Sequence, residues 1–265
     1  MFGDGGVRYR RMLANDIVLA LDVAAAAGAV LLETRSTAAA EGWDEERIRS
    51  EGDRRSHDVI VERLTRARPD DAILSEDGAD DPRRLATARV WIVDPLDGTR
   101  EFAEGRDDWA VHVALAVDGV VRHAVVELPA RAESFEASSV TALPVAAGPP
   151  RIVVSRSRPA GEIDAVAQAL GATVIPMGSA GAKTAAILRG EADLYLHSGG
   201  QFEWDLAAPV GVALGAGLHA SRIDGSPFRF NRPDPRLPDA LIGDPALARR
   251  ALAVLVGLDD SPPDG

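Results

Sequence analysis

The chain predicts an α+β fold in which helices and sheets alternate, and three observations carry that reading. An Ala/Leu-rich segment with helical spacing opens the chain. Short apolar runs ending in acidic residues follow, and the second half alternates strand and helix patterns. With 265 residues, 46% of them hydrophobic, the chain can build one large domain or two smaller ones.

Residues 1–12 are Gly-rich or basic without a period and read as a flexible arm. From Asn15 to Arg35, Ile17, Leu21, Ala24 and Leu31 recur near helical spacing behind a cap at Asn15 or Asp16, which predicts a long buried helix. Ala38 to Gly52 is polar and reads as a loop. Val59, Ile60, Leu64 and Ala67 then form one stripe, so a second helix is expected to start just after Asp53. Ala72-Ile73-Leu74 and Val90-Trp91-Ile92-Val93 read as buried strands, and Trp109 to Val117 and Val120 to Leu128 as a hairpin turning at Asp118-Gly119. The Pro/Ala-rich stretch Leu143 to Pro150 divides the chain into halves, 13–148 and 149–258. Beyond it come strand 151–155, helix 162–170, strand 173–175, helix 178–188, strand 192–197, helix 205–214, a hairpin signal at Asp224-Gly225 and helix 246–256. Residues 259–265 read as a disordered tail.

Acidic residues number 41 against 29 Lys and Arg, a formal charge of −12, the opposite of a nucleic-acid binder's footprint. The absence of cysteine excludes disulfides, thiolate metal sites and a cysteine nucleophile, so any metal is held by oxygen or imidazole. No run approaches 18 consecutive apolar residues and the start lacks a leader pattern; the expectation is a cytoplasmic protein without a membrane or nucleic-acid partner.

The most informative segment is Trp91-Ile92-Val93-Asp94-Pro95-Leu96-Asp97-Gly98-Thr99. An apolar strand delivers two aspartates three residues apart, and Pro95 and Gly98 turn the chain so that both converge with a backbone carbonyl between them. Such an oxygen set suits magnesium. The same residues also make an ordinary capped turn. Two further acid-bearing segments, Leu74-Ser75-Glu76-Asp77 and Glu203-Trp204-Asp205, each read alone as solvated loop acids. Gathered in one place they repel and call for a cation.

Glu76-Asp77, the run Asp94-Pro95-Leu96-Asp97-Gly98-Thr99, and Trp204-Asp205 with Ala207-Ala208 together resemble the signature of the magnesium-dependent, lithium-sensitive inositol monophosphatase superfamily, over residues 14 to about 255. Gly178-Ser179-Ala180-Gly181-Ala182-Lys183 and His197 to Asp205 resemble its 3′(2′),5′-bisphosphate nucleotidase branch in actinobacteria. The resemblance implies a layered αβαβα sandwich of the inositol monophosphatase and sugar phosphatase type. It also implies a first magnesium on Glu76, Asp94 and the Leu96 carbonyl, and a second on Asp94, Asp97 and Asp205. Asp53 and Thr99 would activate the attacking water, and Glu76 would line a third metal position. Lithium is implied as an inhibitor, and a homodimer as the assembly. The implied reaction removes the 3′-phosphate of adenosine 3′,5′-bisphosphate (PAP), or of its sulfated form PAPS, in support of sulfate assimilation.

For phosphate or sugar contacts, the backbone of Gly98-Thr99 and of Gly178-Ser179-Ala180 offers N–H groups at expected helix starts, with a plain helix cap as the alternative at Gly178-Ser179. Lys183, Arg229 and Ser155-Arg156-Ser157 are candidates for a second phosphate, against the alternative of solvated surface charge. Glu203, beside the Trp-Asp pair, is a further substrate-side candidate. Two departures from the wider family stand out. Gly42-Trp43-Asp44 replaces a lysine many members carry, and Ser198 stands where inositol-specific members carry a carboxylate. The alternatives to nucleotidase activity are inositol-1-phosphatase or fructose-1,6-bisphosphatase activity and a catalytically silent phosphate-binding regulator. The five histidines lack ligand spacing and none is assigned to metal. Trp91 and Trp204 read as core walls, with substrate stacking the lesser reading.

Overall fold

The computed structural model describes residues 4–143, 147–156 and 161–259. Helix α1 (Asp4–Glu41) is longer than expected. Residues 4–12, expected as part of a flexible arm, are helical, because no proline interrupts them and each residue added to an existing helix gains a hydrogen bond; residues 1–3 lie outside the described residues. The loop expected over Ala38 to Gly52 shrinks to residues 42–44. The Asp44 side chain accepts the Arg47 N–H at 2.8 Å, and Glu45 and Glu46 occupy the first turn of α2 (Glu45–Ala67), favoured there by the helix dipole. Asp53 therefore lies inside the second helix rather than ahead of it.

The first sheet runs in order through β1 (Ala72–Ser75), β2 (Arg89–Asp97), β3 (Ala110–Val117), β4 (Val120–Leu128) and β5 (Glu133–Glu136), with the short helix α3 (Thr99–Ala103) between β2 and β3. β1 is parallel to β2 and the other pairs are antiparallel. The second sheet comprises β6 (Arg151–Ser155), β7 (Thr173–Met177), β8 (Leu194–Phe202), β9 (His219–Ser221) and β10 (Arg236–Gly243) in the order β7-β6-β8-β10-β9. Helices α4 (Gly161–Leu170), α5 (Ala180–Leu188), α6 (Glu203–Gly215) and α7 (Pro245–Asp259) complete the fold. The expected tail begins at the last residue of α7, and residues 260–265 lie outside the described residues.

Alternation along the strands shows how the layers stack. In β2, Val90 and Ile92 enter one core while Trp91 and Val93 enter another; β3 splits the same way, Ala110, Ala114 and Ala116 against Val111, Val113 and Leu115. Both faces of each sheet are thus covered, which is why these strands read as continuous apolar runs. Helices α1 and α2 cover the outer face of the first sheet, α4 and α7 that of the second, and α5 and α6 fill the space between the sheets. The result is a five-layered αβαβα sandwich. Residues 15–41 of α1 are long and apolar enough to cross a membrane by composition, but Ala20, Val23, Ala24, Ala27 and Leu31 are spent on packing against the sheet.

The middle layer is built of small residues. Ala182, Ala185 and Ala186 of α5 and Ala207, Ala208 and Ala213 of α6 pack with strand residues of both halves, so the two halves share one central core. At Gly211 of α6 a β-carbon would stand 2.5 Å from the Ala124 methyl of β4. The helix lies directly on the sheet because it has no side chain there.

Candidate active site

In a regular strand, residues three apart point to opposite faces, yet Asp94 and Asp97 converge. The reason is a bulge. Asp94 pairs with His112 and Asp97 with Ala110, so β2 spends three steps where β3 spends two, and the extra residue brings both carboxylates to one side. Pro95, which offers no ladder N–H, sits in the bulge, and its carbonyl accepts the Ser56 hydroxyl of α2 at 2.7 Å. The Leu96 N–H donates to Asp94 Oδ1 at 3.0 Å. Gly98 follows at φ +90° and starts α3, a conformation glycine adopts without strain.

Two more elements bring further acids to this point. The parallel register of β1 sets Ser75 beside Val93, which delivers Glu76 next to Asp94. Asp205 comes from the first turn of α6, where Oδ2 accepts the Phe202 N–H at 2.6 Å. One oxygen from each of Asp94, Asp97 and Asp205 lies within 4.8 Å of the others.

The electrostatics of this cluster are those of buried carboxylates crowded together. Burial, then Glu76, Asp97 and Asp205, raise Asp94 well above the usual carboxylate range. Burial and Asp205, Asp77 and Asp97 push Glu76 up to about 7, and burial with Asp97 pushes Asp205 up to about 6. Asp97 goes the other way: burial is outweighed by His112, Lys183 and the Gly181 N–H, which donates to Oδ2 at 2.9 Å. Asp53, on α2, is pushed up to about 8 by burial and by Asp77 and Glu76, opposed by a hydrogen bond with Thr99. The Thr99 hydroxyl also lies 3.1 Å from the Leu96 carbonyl.

These residues fit a hard cation. Asp94 Oδ2 is buried and, apart from the facing Glu76 carboxyl, no hydrogen-bond donor among the described residues reaches it. The donors are all carboxylate or carbonyl oxygens, and a cation would remove the mutual repulsion that raises three of the acids.

A cavity of about 260 Å³ opens beside the cluster, with Glu76, Asp97 and Asp205 in its wall. Gly98, Gly178, Ser179, Ala180 and Lys183 also line it, and at Gly178-Ser179 the structure shows the helix-cap alternative. The Gly178 N–H donates to Asp108 Oδ2 at 2.8 Å and the Ser179 N–H to the Asp108 carbonyl at 3.1 Å, so neither is directed at a ligand. Ser179 caps α5 through a 2.9 Å bond from the Ala182 N–H. Lys183 is no surface charge: it is 2% exposed, its ammonium donates to the Gly178 carbonyl and lies 4.9 Å from the centre of the Tyr195 ring, and burial lowers it to about 8 against the pull of Asp97, Glu101, Asp205 and Asp108.

Ser155 and Arg156 also line the cavity, Arg156 held by Glu101 at 2.7 Å and Glu104 at 3.1 Å; Ser157 lies outside the described residues. Arg229 is exposed and is not in the cavity wall. Glu203 is a correction of the sequence reading. Fully buried, it faces away from the cavity and accepts the N–H groups of Asn231 at 2.5 Å and Arg232 at 2.8 Å. Successive helical positions turn by about 100°, so Glu203 and Asp205 point in opposed directions.

His112 is the residue that sequence reasoning passed over. Its Nε2 stands 3.2 Å from Asp97 Oδ2, and Nδ1 lies 3.2 Å from the Trp204 carbonyl, so it links β3, the carboxylate cluster and α6. A single polar residue in the apolar run Trp109 to Val117 was its only signal.

The model of the inositol monophosphatase family matches residues 12–253. The chain belongs to the inositol monophosphatase family. Among its relatives, a 3′-phosphoadenosine 5′-phosphate phosphatase of Mycobacterium leprae is 47% identical over 256 residues, covering 91% of this chain and 93% of that one. The 3′(2′),5′-bisphosphate nucleotidase CysQ of Escherichia coli is 32% identical over 189 residues, 66% of this chain and 76% of its own. The crystal structure of CysQ from Bacteroides thetaiotaomicron, described as a bacterial member of the inositol monophosphatase family, superposes with a TM-score of 0.77 at 25% identity, over 87% of this chain and 97% of that one. In this family member the carboxylates come from separate elements: Asp53 from α2, Glu76 from just after β1, Asp94 and Asp97 from β2, and Asp205 from α6.

Proposed function

We propose that the protein is a magnesium-dependent phosphatase that hydrolyses the 3′-phosphate of PAP, giving AMP and inorganic phosphate. The observation that carries this reading is the similarity, over nine-tenths of the chain, to a PAP phosphatase. The carboxylates gathered around the β2 bulge support it. Glu76, Asp94, the Leu96 carbonyl, Asp97 and Asp205 would hold two magnesium ions, with Glu76 bordering a third position. Such ions polarise the phosphoryl group and make water acidic enough to attack at neutral pH.

The remaining work falls to the chain itself. Asp53, which would be ionised once bound cations offset its acidic neighbours, takes the proton of a water molecule through the Thr99 hydroxyl as the water's oxygen bonds to phosphorus. The bond from phosphorus to the ribose 3′-oxygen breaks on the opposite side, and that oxygen is protonated from solvent. Lys183 places the one fully buried cation of the described cavity wall near the phosphates and stays largely protonated at neutral pH, because the acids around it counter its burial. Arg156 at the rim offers a second cation. The same site would accept PAPS, and the reading places the enzyme in the cytoplasm in the service of sulfate assimilation.

Phosphate release from PAP, inositol 1-phosphate and fructose 1,6-bisphosphate, each with magnesium, tests the assignment. PAP is expected to give the highest kcat/KM; turnover no faster than with the other two would end the nucleotidase reading.

A further inference from the structure

The cavity has an aromatic side that the carboxylate chemistry does not use. Phe202 ends β8 and Trp204 stands in the first turn of α6, and their rings lie parallel, 4° apart in plane with centroids 4.6 Å apart. Both line the cavity. Trp204 is anchored, packing against the central core, whereas Phe202 remains 36% exposed. Since the indole covers one face of the phenyl ring, its exposed surface belongs to the other face and the edge.

An exposed phenyl ring held parallel to an anchored indole has the form of a stacking platform. Flat π-systems favour offset stacking, and nucleobases stack on aromatic side chains whatever their sequence identity. The platform is also tied to the carboxylate cluster. The Phe202 N–H donates to Asp205 Oδ2 at 2.6 Å, so the ring and a carboxylate of the cluster belong to one rigid strand-to-helix corner. A substrate with a phosphate at one end and a planar base at the other matches that arrangement; a saturated sugar phosphate gains nothing from the ring.

We propose that Phe202, backed by Trp204, stacks against the purine of the substrate and so separates nucleoside bisphosphates from base-free sugar phosphates. This rests on the phosphatase reading above and adds to it the residue that recognises the base. Stacking ignores the base's hydrogen-bonding edge, so the 3′,5′-bisphosphates of adenosine and guanosine should be used almost equally.

The test is steady-state phosphate release by the magnesium-loaded wild type and by Phe202→Ala, Phe202→Leu and Phe202→Tyr, on adenosine 3′,5′-bisphosphate and on methyl riboside 3,5-bisphosphate, which lacks the base. For the Ala and Leu variants KM for the nucleotide should rise about tenfold more than KM for the base-free compound, equivalent to about 1.4 kcal/mol. Inhibition by AMP should weaken in parallel, and the Tyr variant should stay within threefold of wild type. The Leu variant keeps the apolar volume, so a loss shared with Ala reports the missing π-face rather than a collapsed corner, and thermal melting confirms the fold of each variant. Equal shifts on both substrates, or a nucleotide KM within threefold of wild type in the Ala variant, would overturn the proposal. Wild-type enzyme that prefers the nucleotide while Phe202→Ala keeps the same preference removes only the platform. Wild-type enzyme that prefers the base-free compound removes the nucleotide reading and the platform with it.

Discussion

Replacing Asp205 by Asn should stabilise the metal-free protein while abolishing its activity. Asp205 is pushed up to about 6 from an ordinary value of 3.8, by burial first and then by Asp97. A carboxyl raised on folding binds its proton more tightly in the native state, so its ionisation opposes folding. The penalty is absent below about pH 4, grows as pH rises from there toward 6, and is complete above that. A shift of about two units corresponds to roughly 3 kcal/mol. Asparagine has the same shape and retains an acceptor for the Phe202 N–H, but carries no charge. In excess chelator at pH 8 the variant should therefore unfold at higher denaturant, by up to about 3 kcal/mol, with the advantage shrinking toward pH 4. Saturating magnesium, by neutralising the cluster in the wild type, should remove the difference. The assay is urea unfolding of both proteins at pH 5 and pH 8, with chelator and with magnesium. An Asn variant that is less stable in chelator at pH 8, or that still turns over substrate, would refute the account of Asp205 as a cation ligand held at a cost to the fold.

Three further outcomes are expected. Replacing His112 by Ala removes the group facing Asp97 Oδ2, and the magnesium concentration for half-maximal activity should rise on the order of tenfold or more; a change below twofold would make His112 a packing residue only. Glu203→Ala leaves two part-buried N–H groups without their acceptor and should cost about 1–3 kcal/mol in urea unfolding, with KM unchanged in the fraction that remains folded; a rise in KM alone would return Glu203 to the substrate side. Lithium titrated at fixed magnesium should inhibit in the millimolar range, and indifference there would end the expectation of a lithium-sensitive metal site.

The legible parts of this protein were those where composition and geometry agree. Asp94 and Asp97 could be read because an apolar strand ending in acids, proline and glycine has few uses. That they share a side depends on one extra residue relative to β3, which only the pairing reveals. β10 was missed because Pro238 and Asp239 interrupt its apolar run. The structure absorbs them in a register shift between Leu237 and Asp239, and Arg222 pairs with the Asp239 carboxylate at 2.6 Å. The start of α2 was missed because its first turns are exposed and polar, leaving no apolar stripe to read. The burial of Lys183 and the orientation of Glu203 could not be read for a common reason: a charged residue in a sequence carries no mark of whether a neighbouring element will bury it.

The alanines and the glycine of the middle layer act as a gauge. Asp94 and Asp97 ride on the first sheet and Asp205 on a helix lying against it, so the separation of the three carboxylates is set by how closely α6 approaches the strands. That approach is limited by the contact at Gly211, where even one added carbon would meet Ala124. A larger side chain at a position far from any reacting atom would lift Asp205 away from its partners. The dimension of the carboxylate cluster is thus written in residues whose contribution is the absence of bulk.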